Sequence, residues 1–573
     1  MISLLLATLL SAADADSEYE KTLIDWGLKQ HQAVVEAEPE GKIVDAIITA
    51  REDVFSESDP ITWPRIFHGR TRENVVLREV LLKVGQPWSQ AKAAETERNL
   101  RSLIILAVAK VVPVKSPRGG VVALVVTKDR WSFRANWDYV LVGTVLEYLH
   151  VPITEVNLLG QAIEVTVDPE LRRDTFLLGQ QLIWRRIANS RVLVRETLGL
   201  VINRVNRNLE GTYGDAQVAL PLITLDQPWG FNVFATWDVR RVRIFRGRNV
   251  WELDFREPDG TPKTVPYIYD RRVVDVAALL TRRFGTQIEW KTDVTAGVGG
   301  YMRQFQPPPD EPLSEPVREE FIRTRLPRSE DATYLYARAQ FFRARYEKRH
   351  DLETFGLTED YQSGPRLILA VKYALPVFSA NHFLELGASL RWRFFLGDDI
   401  LTIWGAAAAR FMSGHWVNKH YAFEVANWSP RFEGGRFVTR VLGEFRSNDL
   451  NNNQFILGAG GGLRGTPSGS YVGRNMILGN FEYRTRPFPI TTLLAGFVLF
   501  YDVGTAYNTR PVLTHTVGMG LRVLIPQLNT VVIRLDVGWI LGDEAGSEFS
   551  ADRFSSTFGQ VTQLRTDFYD DPL

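Results

Sequence analysis

The residues of this chain that could do chemistry are charged side chains on alternating strands, and one arginine set among glycines. Arg464 stands in the run Gly461-Gly462-Leu463-Arg464-Gly465. Period-two alternation places Asp502 on the face opposite the apolar residues of its segment, and does the same for Asp536. An arginine buried at a loop tip needs such carboxylates, because an unpaired charge is costly away from water. The predicted internal lock comprises Arg464, Gly465, Asp502, Asp536 and Glu482, with Gly462 and Gly504 as the loop-tip and strand glycines; the alternative is that Arg464 is an exposed loop cation.

Composition excludes several classes of function. The 67 Lys+Arg balance the 67 Asp+Glu, so the chain carries no excess positive charge for a nucleic acid partner. Cysteine is absent, which removes disulfides, thiol nucleophiles and Cys-ligated metals. The eight histidines form no metal-binding motif, and the G-x-G-x-x-G match at 460–465 does not open a helix within a βαβ unit. We therefore predict no enzymatic activity, no catalytic residue, no metal and no cofactor.

The N-terminus has the pattern of an export signal. An apolar stretch, 2–10, is followed by Ala13 and Ala15 at small-x-small spacing, which predicts a signal peptide over 1–15 and a mature chain from about Asp16. Beyond it, the best apolar window, 490–501, is shorter than the ~18–20 residues that a membrane-spanning helix needs. The sequence thus predicts an exported protein without a helical anchor.

Alternating strands fill most of the chain. In 384–394 and 531–539 every second residue is apolar, and the residues between include Glu385, Arg391 and Arg534. A soluble sandwich also alternates, but its strands are usually shorter than these segments, which match the ~9–11 residues of a strand tilted across a bilayer. Trp392 and Trp539 stand near the ends of apolar faces, as in an aromatic girdle. We predict an antiparallel transmembrane β-barrel over 131–573.

The region before the barrel has mixed character. Residues 16–41 are predicted to form an amphipathic helix and linker. Over 42–130 the predicted order is strand (42–48), helix (71–82), helix (89–101), strand (104–113) and strand (120–128), with Ser89 capping the second helix. This order, with the words at 74–87 and 99–103, resembles one POTRA domain, the periplasmic module of the outer-membrane assembly factor superfamily (BamA- and TamA-like proteins, or bacterial surface antigens).

Words in the barrel region are similar to the same superfamily. They are the loop tip 461–466, the strand words at 479–484, 500–506, 518–522 and 534–538, and an upstream word at 155–160. The resemblance implies a mainly β fold: a 16-stranded antiparallel barrel, eleven strands ahead of the Arg464 loop, preceded by one small α+β POTRA domain. Strand reading of the sequence alone gives about nineteen. Thr466 stands where the family usually has an aromatic. The proline-rich stretch 304–331 is predicted to be a solvated surface loop.

The resemblance also implies a location and a function. The barrel would lie in the outer membrane of a Gram-negative bacterium, with the POTRA domain in the periplasm and Arg464 paired with Asp502 to tether the loop. An unfolded outer-membrane or secreted client would pair with the POTRA sheet edge and pass through a seam between the first strand (131–149) and the last (552–563). Accessory periplasmic proteins are further expected partners. The alternative is a passive channel or a surface-exposed structural barrel. The predicted client-binding edge comprises Ile104, Ile105, Leu106, Val108, Val111 and Val112.

Overall fold

A computed structural model describes residues 17–54, 69–142, 145–187, 190–246, 249–285, 289–376, 379–451, 453–458, 461–467, 469–490, 493–525, 532–542 and 554–558. The predicted signal peptide 1–15 and the C-terminal tail 562–573 lie outside these ranges, as does the end of the predicted last strand.

The first part of the described chain is a small α/β unit, which we call the N-terminal unit. Strand β1 pairs in parallel with β3, and β3 pairs antiparallel with β2, so that β1 and β2 are the edges of a three-stranded sheet. Two hydrophobic clusters pack around this sheet, one of them including Val76, Trp88 and Ile105. The elements are α1 (Glu18–Gln30), β1 (Val44–Glu52), α2 (Glu73–Leu77), α3 (Gln90–Arg101), β2 (Leu106–Lys115) and β3 (Val121–Asp129).

Local chemistry sets the helix bounds in this unit. Ser17 and Glu20 form a capping box at the start of α1. Ser89 caps α3, because its hydroxyl accepts the Lys92 N–H at 3.4 Å, as predicted. The predicted helix 71–82 is shorter, because the Leu81 N–H donates to the Thr96 hydroxyl at 3.0 Å instead of continuing the helical ladder.

The rest of the chain is dominated by one large antiparallel sheet, so the mainly β prediction is confirmed. Neighbouring ladders run without a break from β7 to β33. Its segments are β4 (Phe133–Ala135), β5 (Asp138–Val142), β6 (Val145–His150), β7 (Ile153–Leu158), β8 (Ile163–Leu171), β9 (Thr175–Trp184), β10 (Leu193–Asn203), β11 (Leu209–Leu220), β12 (Trp229–Arg243), β17 (Ile268–Phe284), β18 (Trp290–Gln306), β19 (Glu330–Arg343), β20 (Arg345–Arg349), β21 (Glu359–Ala374), β22 (Leu384–Leu396), β23 (Asp399–Met412), β24 (His415–Trp428), β25 (Gly435–Ser447), β28 (Asn475–Thr485), β29 (Phe488–Ile490), β30 (Leu493–Tyr507), β31 (Thr514–Leu524), β32 (Ile533–Leu541) and β33 (Phe554–Phe558).

The number of strands differs from the sixteen that the resemblance implied. The described residues contribute 24 segments to the sheet, and four of them (β5, β7, β20 and β29) continue the segment before them, which leaves 20 runs. Five of these runs follow the Arg464 loop, which is the number implied by sixteen strands with eleven ahead of the loop. The sequence's own count of about nineteen was closer, because each long alternating segment forms a separate strand.

The two ends of the sheet meet. The strand order around the barrel places β33 next to β4. Within the described residues, residue-by-residue pairing extends to β32–β33 on one side and to β4–β7 and β5–β6 on the other.

Alternation along the strands separates a polar interior from an apolar exterior. On β30, Asp502 is buried while Phe497 and Leu499 are 53% and 56% exposed. On β22, Arg393 is buried while Leu390 and Trp392 are exposed. Exposed apolar side chains on neighbouring strands form a surface far more apolar than that of an ordinary soluble monomer. Among the described residues no helix has the length and apolar character to cross a membrane.

One rim of the barrel carries short turns and the N-terminal unit, and we call it the turn rim; the other carries longer loops. On the loop side, β13 (Phe245–Arg246) pairs with β14 (Asn249–Val250), and β15 (Glu252–Arg256) with β16 (Pro262–Pro266). The stretch 304–331, predicted to be a solvated loop, contains helix α4 (Glu315–Arg325), whose Val317 and Phe321 pack against the β15–β16 hairpin. The prediction was wrong here because these two residues, four apart, share one helix face.

Candidate functional site

The structure brings Arg464 and the predicted carboxylates together inside the barrel. The Arg464 Nε and Nη2 donate to the two oxygens of Asp502, each at 2.7 Å, and Nη1 donates to Glu482 Oε1 at 2.6 Å. Asp536 Oδ2 lies 3.9 Å from the same Nη1. The Arg464 guanidinium also stacks 3.7 Å from the centroid of the Phe500 ring. Since Arg464 is 1% exposed, it is a buried cation and not the exposed loop residue of the alternative.

Neighbouring strands extend this pair into a network. Glu482, on β28, also accepts from Arg484 Nε at 2.7 Å. Asp536, on β32, accepts from Arg522 Nη1 at 2.7 Å and lies 3.3 Å from Arg534 Nε. Asn480 Nδ2 lies 2.8 Å from Asp502 Oδ1. Four adjacent strands, β28, β30, β31 and β32, therefore hold the lock. The sequence had predicted its three carboxylates, Asp502, Asp536 and Glu482.

The glycines of the site allow close approach of the loop to the barrel wall. Gly465 has φ +79°, and a Cβ added there would lie 2.6 Å from the carbonyl carbon of Gly538 on β32. Gly462 has φ +98°, and its carbonyl accepts from Asn480 Nδ2 at 2.8 Å. A Cβ on Gly504 would lie 2.8 Å from the Ile477 carbonyl oxygen. The loop backbone and the strand backbones can pack this closely only because glycine has no Cβ.

Apolar packing completes the seat of the loop tip. Within the loop, β26 (Phe455–Leu457) pairs with β27 (Tyr471–Gly473). Leu463 is fully buried in a cluster that includes Leu457 and Leu478. Thr466, in the place where an aromatic is usual, is also fully buried, and its hydroxyl donates to the Leu463 carbonyl at 2.8 Å. The Thr466 hydroxyl therefore supplies a hydrogen bond to a backbone carbonyl of its own turn.

The predicted client-binding edge lies at β2, and it is covered. Ile104 and Ile105 precede the strand, while Leu106, Val108, Val111 and Val112 lie on it; all but Ile104, which is partly buried, are buried. The Val111 N–H donates to Glu97 Oε1 at 3.0 Å, and the Ala109 carbonyl accepts from Arg101 at 3.2 Å.

The segment after α1 covers the far end of the same edge. The Pro113 carbonyl accepts from Glu36 N–H at 2.9 Å, and the Lys115 N–H donates to the Val34 carbonyl at 2.8 Å. Four backbone groups of this edge, the Ala109 and Pro113 carbonyls and the Val111 and Lys115 N–H groups, are thus occupied within the chain. An added strand would have to displace these partners.

Ionic contacts dock the N-terminal unit onto the turn rim, and sequence reasoning missed all of them. Arg101 donates to both oxygens of Asp360, at 2.8 and 2.9 Å, and Lys348 donates to Glu97 Oε2 at 2.9 Å. Arg186, after β9, makes a bidentate pair with Glu79 at 2.7 and 2.9 Å. These partners lie more than 100 residues apart, and no local pattern connects them. We call this set of contacts the dock.

Glu20 ties α1 to the turn segment between β20 and β21. Its carboxylate accepts from the Thr358 hydroxyl at 2.5 Å and lies 3.2 Å from Lys110 Nζ. Burial alone would raise the pKa of Glu20, but the hydrogen bond from His350 and the charge of Lys110 outweigh it and lower the pKa to about 2. For Glu97 burial also opposes ionisation, and the charges of Lys348 and Arg101 bring its pKa below the usual value. The contacts of Glu20 with Thr358 and His350 are included in the dock from here on, and the surrounding cations and hydrogen bonds keep both carboxylates ionised.

Within the described ranges no cluster of three or more metal-ligating side chains occurs. Chemically, the site provides a set of buried charge-assisted hydrogen bonds, which fix the position of the loop tip relative to the strands.

No protein-family model matches the sequence, and no curated protein matches it. Among solved structures, the chain is similar to BamA from Haemophilus ducreyi lacking POTRA domains 1–3, at 13% identity and a TM-score of 0.33, covering 90% of this chain and 84% of that one. It is also similar to CdiB from Acinetobacter baumannii (11% identity, TM-score 0.39, 91% and 74% covered) and CdiB from Escherichia coli (10%, 0.41, 92% and 79%). At these scores the likeness carries no argument about function.

Proposed function

We propose that this chain is an outer-membrane barrel protein that assists the insertion or translocation of polypeptide clients. The observation that carries the proposal is the loop tip held inside the barrel by Arg464 against Asp502 and Glu482, at 2.6–2.7 Å. A lock of this kind fixes the strands nearest the end of the sheet, where a client strand would pair. The superfamily words around Arg464 support the same assignment.

The apolar exterior supports a membrane location. Side chains such as Leu198, Val276, Leu390 and Leu499 are between 45% and 56% exposed on the outward face of the sheet. Burying such a surface in lipid is favourable at about 25 cal/mol per Å², whereas leaving it in water promotes aggregation. The outer membrane is the compartment that the export signal and the barrel together fit.

The covered β2 edge adds a step to client capture. Since Glu97, Arg101 and the 34–36 segment occupy its backbone groups, capture at this edge requires the dock to loosen first. A client strand would then form main-chain hydrogen bonds with β2 in place of those that the displaced partners made. The hydrogen bonds lost and gained by β2 would therefore be similar in number. We propose that the structure represents the resting state of the protein.

A passive channel is the alternative function, and the filled interior argues against it. The Arg464 loop occupies the lumen from one side, and Leu352 and Phe355, on the turn between β20 and β21, are buried on the other, where Phe355 packs against Leu524 and Val532. In planar bilayers we expect small, fluctuating conductance. Wide and stable conductance would favour the channel instead.

The test is depletion of the protein in its host, followed by complementation with the wild type, Arg464→Ala or Arg345→Ala. Arg345 is a matched control because its ion pair with Glu347 is 54% exposed on the arginine side. We expect depletion to reduce at least one outer-membrane or surface-exposed client, the control to restore it, and Arg464→Ala to fail at normal protein level. The proposal is wrong if depletion leaves every such client unchanged.

A further inference from the structure

A cavity of about 690 Å³ opens at the turn rim, next to the Arg464 network. Five guanidinium groups line it, those of Arg431, Arg436, Arg484, Arg486 and Arg522, against two carboxylates, those of Asp351 and Asp398. We call it the rim cavity. It is distinct from the lock, although Arg484 and Arg522 contribute to both.

The carboxylates nearby do not balance these arginines. Asp398 accepts from Arg431 Nε at 2.9 Å and faces Arg436 Nη2 at 3.3 Å, so one carboxylate serves two cations. Glu482 and Asp536, the partners of Arg484 and Arg522, are shared with Arg464. With Arg464 and Arg534 included, seven arginines face five carboxylates: Asp351, Asp398, Glu482, Asp502 and Asp536. Among the described residues, this group therefore contains two more arginines than carboxylates.

Arg436 shows where an anion is needed. The residue is 4% exposed, and its Nη1 is a buried donor with no hydrogen-bond partner in the described part of the chain. Leaving such a donor unsatisfied is unfavourable, and more so when it is charged. Arg486, exposed at the same cavity, is in no ion pair with the described residues. A ligand with several acceptor oxygens would satisfy both side chains.

Apolar groups share the lining with the arginines. Leu352, Phe355 and Leu396 border the cavity, and Phe497 brings a half-exposed ring from the outward face of β30. Guanidinium forks match the tetrahedral oxygens of phosphate, and the apolar wall suits an attached hydrocarbon portion. We propose that the rim cavity binds a phosphate group, carried by an anionic phospholipid at the membrane boundary. This inference rests on the membrane location proposed above, but not on any role with polypeptide clients.

The test measures binding to the full chain in a neutral detergent. The probes are short-chain phosphatidylglycerol, short-chain phosphatidylcholine and inorganic phosphate, read by native mass spectrometry and by thermal stabilisation. We expect phosphatidylglycerol to bind most tightly, and Arg486→Gln to weaken it about tenfold, the value of one charge-assisted hydrogen bond. Arg345→Gln, an arginine outside the cavity, should leave binding unchanged.

Each outcome decides the proposal. Equal binding by inorganic phosphate would retain the phosphate site but overturn the lipid as its source. Equal binding of phosphatidylglycerol and phosphatidylcholine, whose phosphate stands beside a fixed positive charge, or equal binding by Arg486→Gln and Arg345→Gln, would overturn the site itself. Arg436→Gln is a second variant with the same expected direction; because Arg486 is exposed, its substitution keeps the test valid if the buried variant fails to fold.

Discussion

Replacing Arg464 by alanine should release the loop from the barrel interior. The substitution removes three hydrogen bonds of 2.6–2.7 Å. It leaves Asp502, which is 0% exposed, without its bidentate partner, and Glu482, which is 2% exposed, with Arg484 as its remaining hydrogen-bonded cation. Breaking a buried pair by removing one partner costs about 3–5 kcal/mol, because the remaining charge stays desolvated. That corresponds to a shift of roughly 10²- to 10⁴-fold in the equilibrium between the seated and the released loop.

Hydrogen exchange measured by mass spectrometry on loop peptides reports this equilibrium directly. The Arg464 N–H itself donates to Asp502 at 3.2 Å, and the Leu463 N–H donates to the Gly458 carbonyl at 3.1 Å. In Arg464→Ala, peptides over 461–467 should exchange at least about a hundredfold faster, since exchange follows the local opening free energy. Arg345→Ala, which removes an exposed pair worth about 0.2–1 kcal/mol, should leave these peptides unchanged.

A double-mutant cycle separates the pair from general damage. If Arg464 and Asp502 interact as the distances indicate, Arg464→Ala/Asp502→Ala should cost less than the sum of the two single changes, because neither charge is then left alone. The reasoning is refuted if the single variant exchanges at the wild-type rate, or if the two costs are simply additive.

Three further predictions follow from other contacts. Gly465→Ala should speed exchange of the loop tip, because its Cβ would meet the Gly538 carbonyl carbon at 2.6 Å, whereas Gly469→Ala, at φ +72° but with only Ile456 at 3.6 Å, should have a much smaller effect. Acid should loosen the dock, because the folded-state pKa of Glu20, about 2, lies below its ordinary value of 4.5. The stability that Glu20 contributes is therefore complete above pH 4.5 and is lost as the pH falls from 4.5 toward 2. Hydrogen exchange of α1 peptides should become faster over that window, and a Glu20→Gln variant whose exchange depends on pH in the same way would contradict this. Phe321→Ala should destabilise α4 by about 3–5 kcal/mol, detected as proteolysis within 315–325, while the barrel's own unfolding is unaffected.

The parts of the site that could be predicted from the sequence depend on short-range regularities. Alternation assigns Asp502 and Asp536 to the interior because the side-chain period of a strand is two residues. The Ser89 cap and the turn glycines depend only on residues within about four positions along the chain. For these features the chain's own local pattern is sufficient.

The dock could not be predicted, because it depends on which surfaces meet after folding. Arg101 and Asp360 are 259 residues apart, and nothing near either residue distinguishes it from a solvated charge. Occupation of the β2 edge has the same origin: Val34 and Glu36 lie in a segment without alternation, and they pair with β2 only because α1 brings the chain back along the sheet. The sixteen strands implied by the resemblance were also wrong, because the number of strands depends on how many alternating segments this chain itself contains.

The lock and the dock differ in how deeply their ion pairs are buried. This difference decides which of the two sets of contacts breaks first. Arg464 and its carboxylates have side chains that are at most 1% exposed, so solvent and salt screen them little. In the dock, Lys348 is 31% exposed and Asp360 is 11% exposed, whereas the third pair, Arg186 with Glu79, is 7% and 2% exposed. Exposed pairs contribute less and weaken with ionic strength. Rearrangement that frees the β2 edge therefore starts at the dock, while the lock keeps the strands β28 to β32 in place.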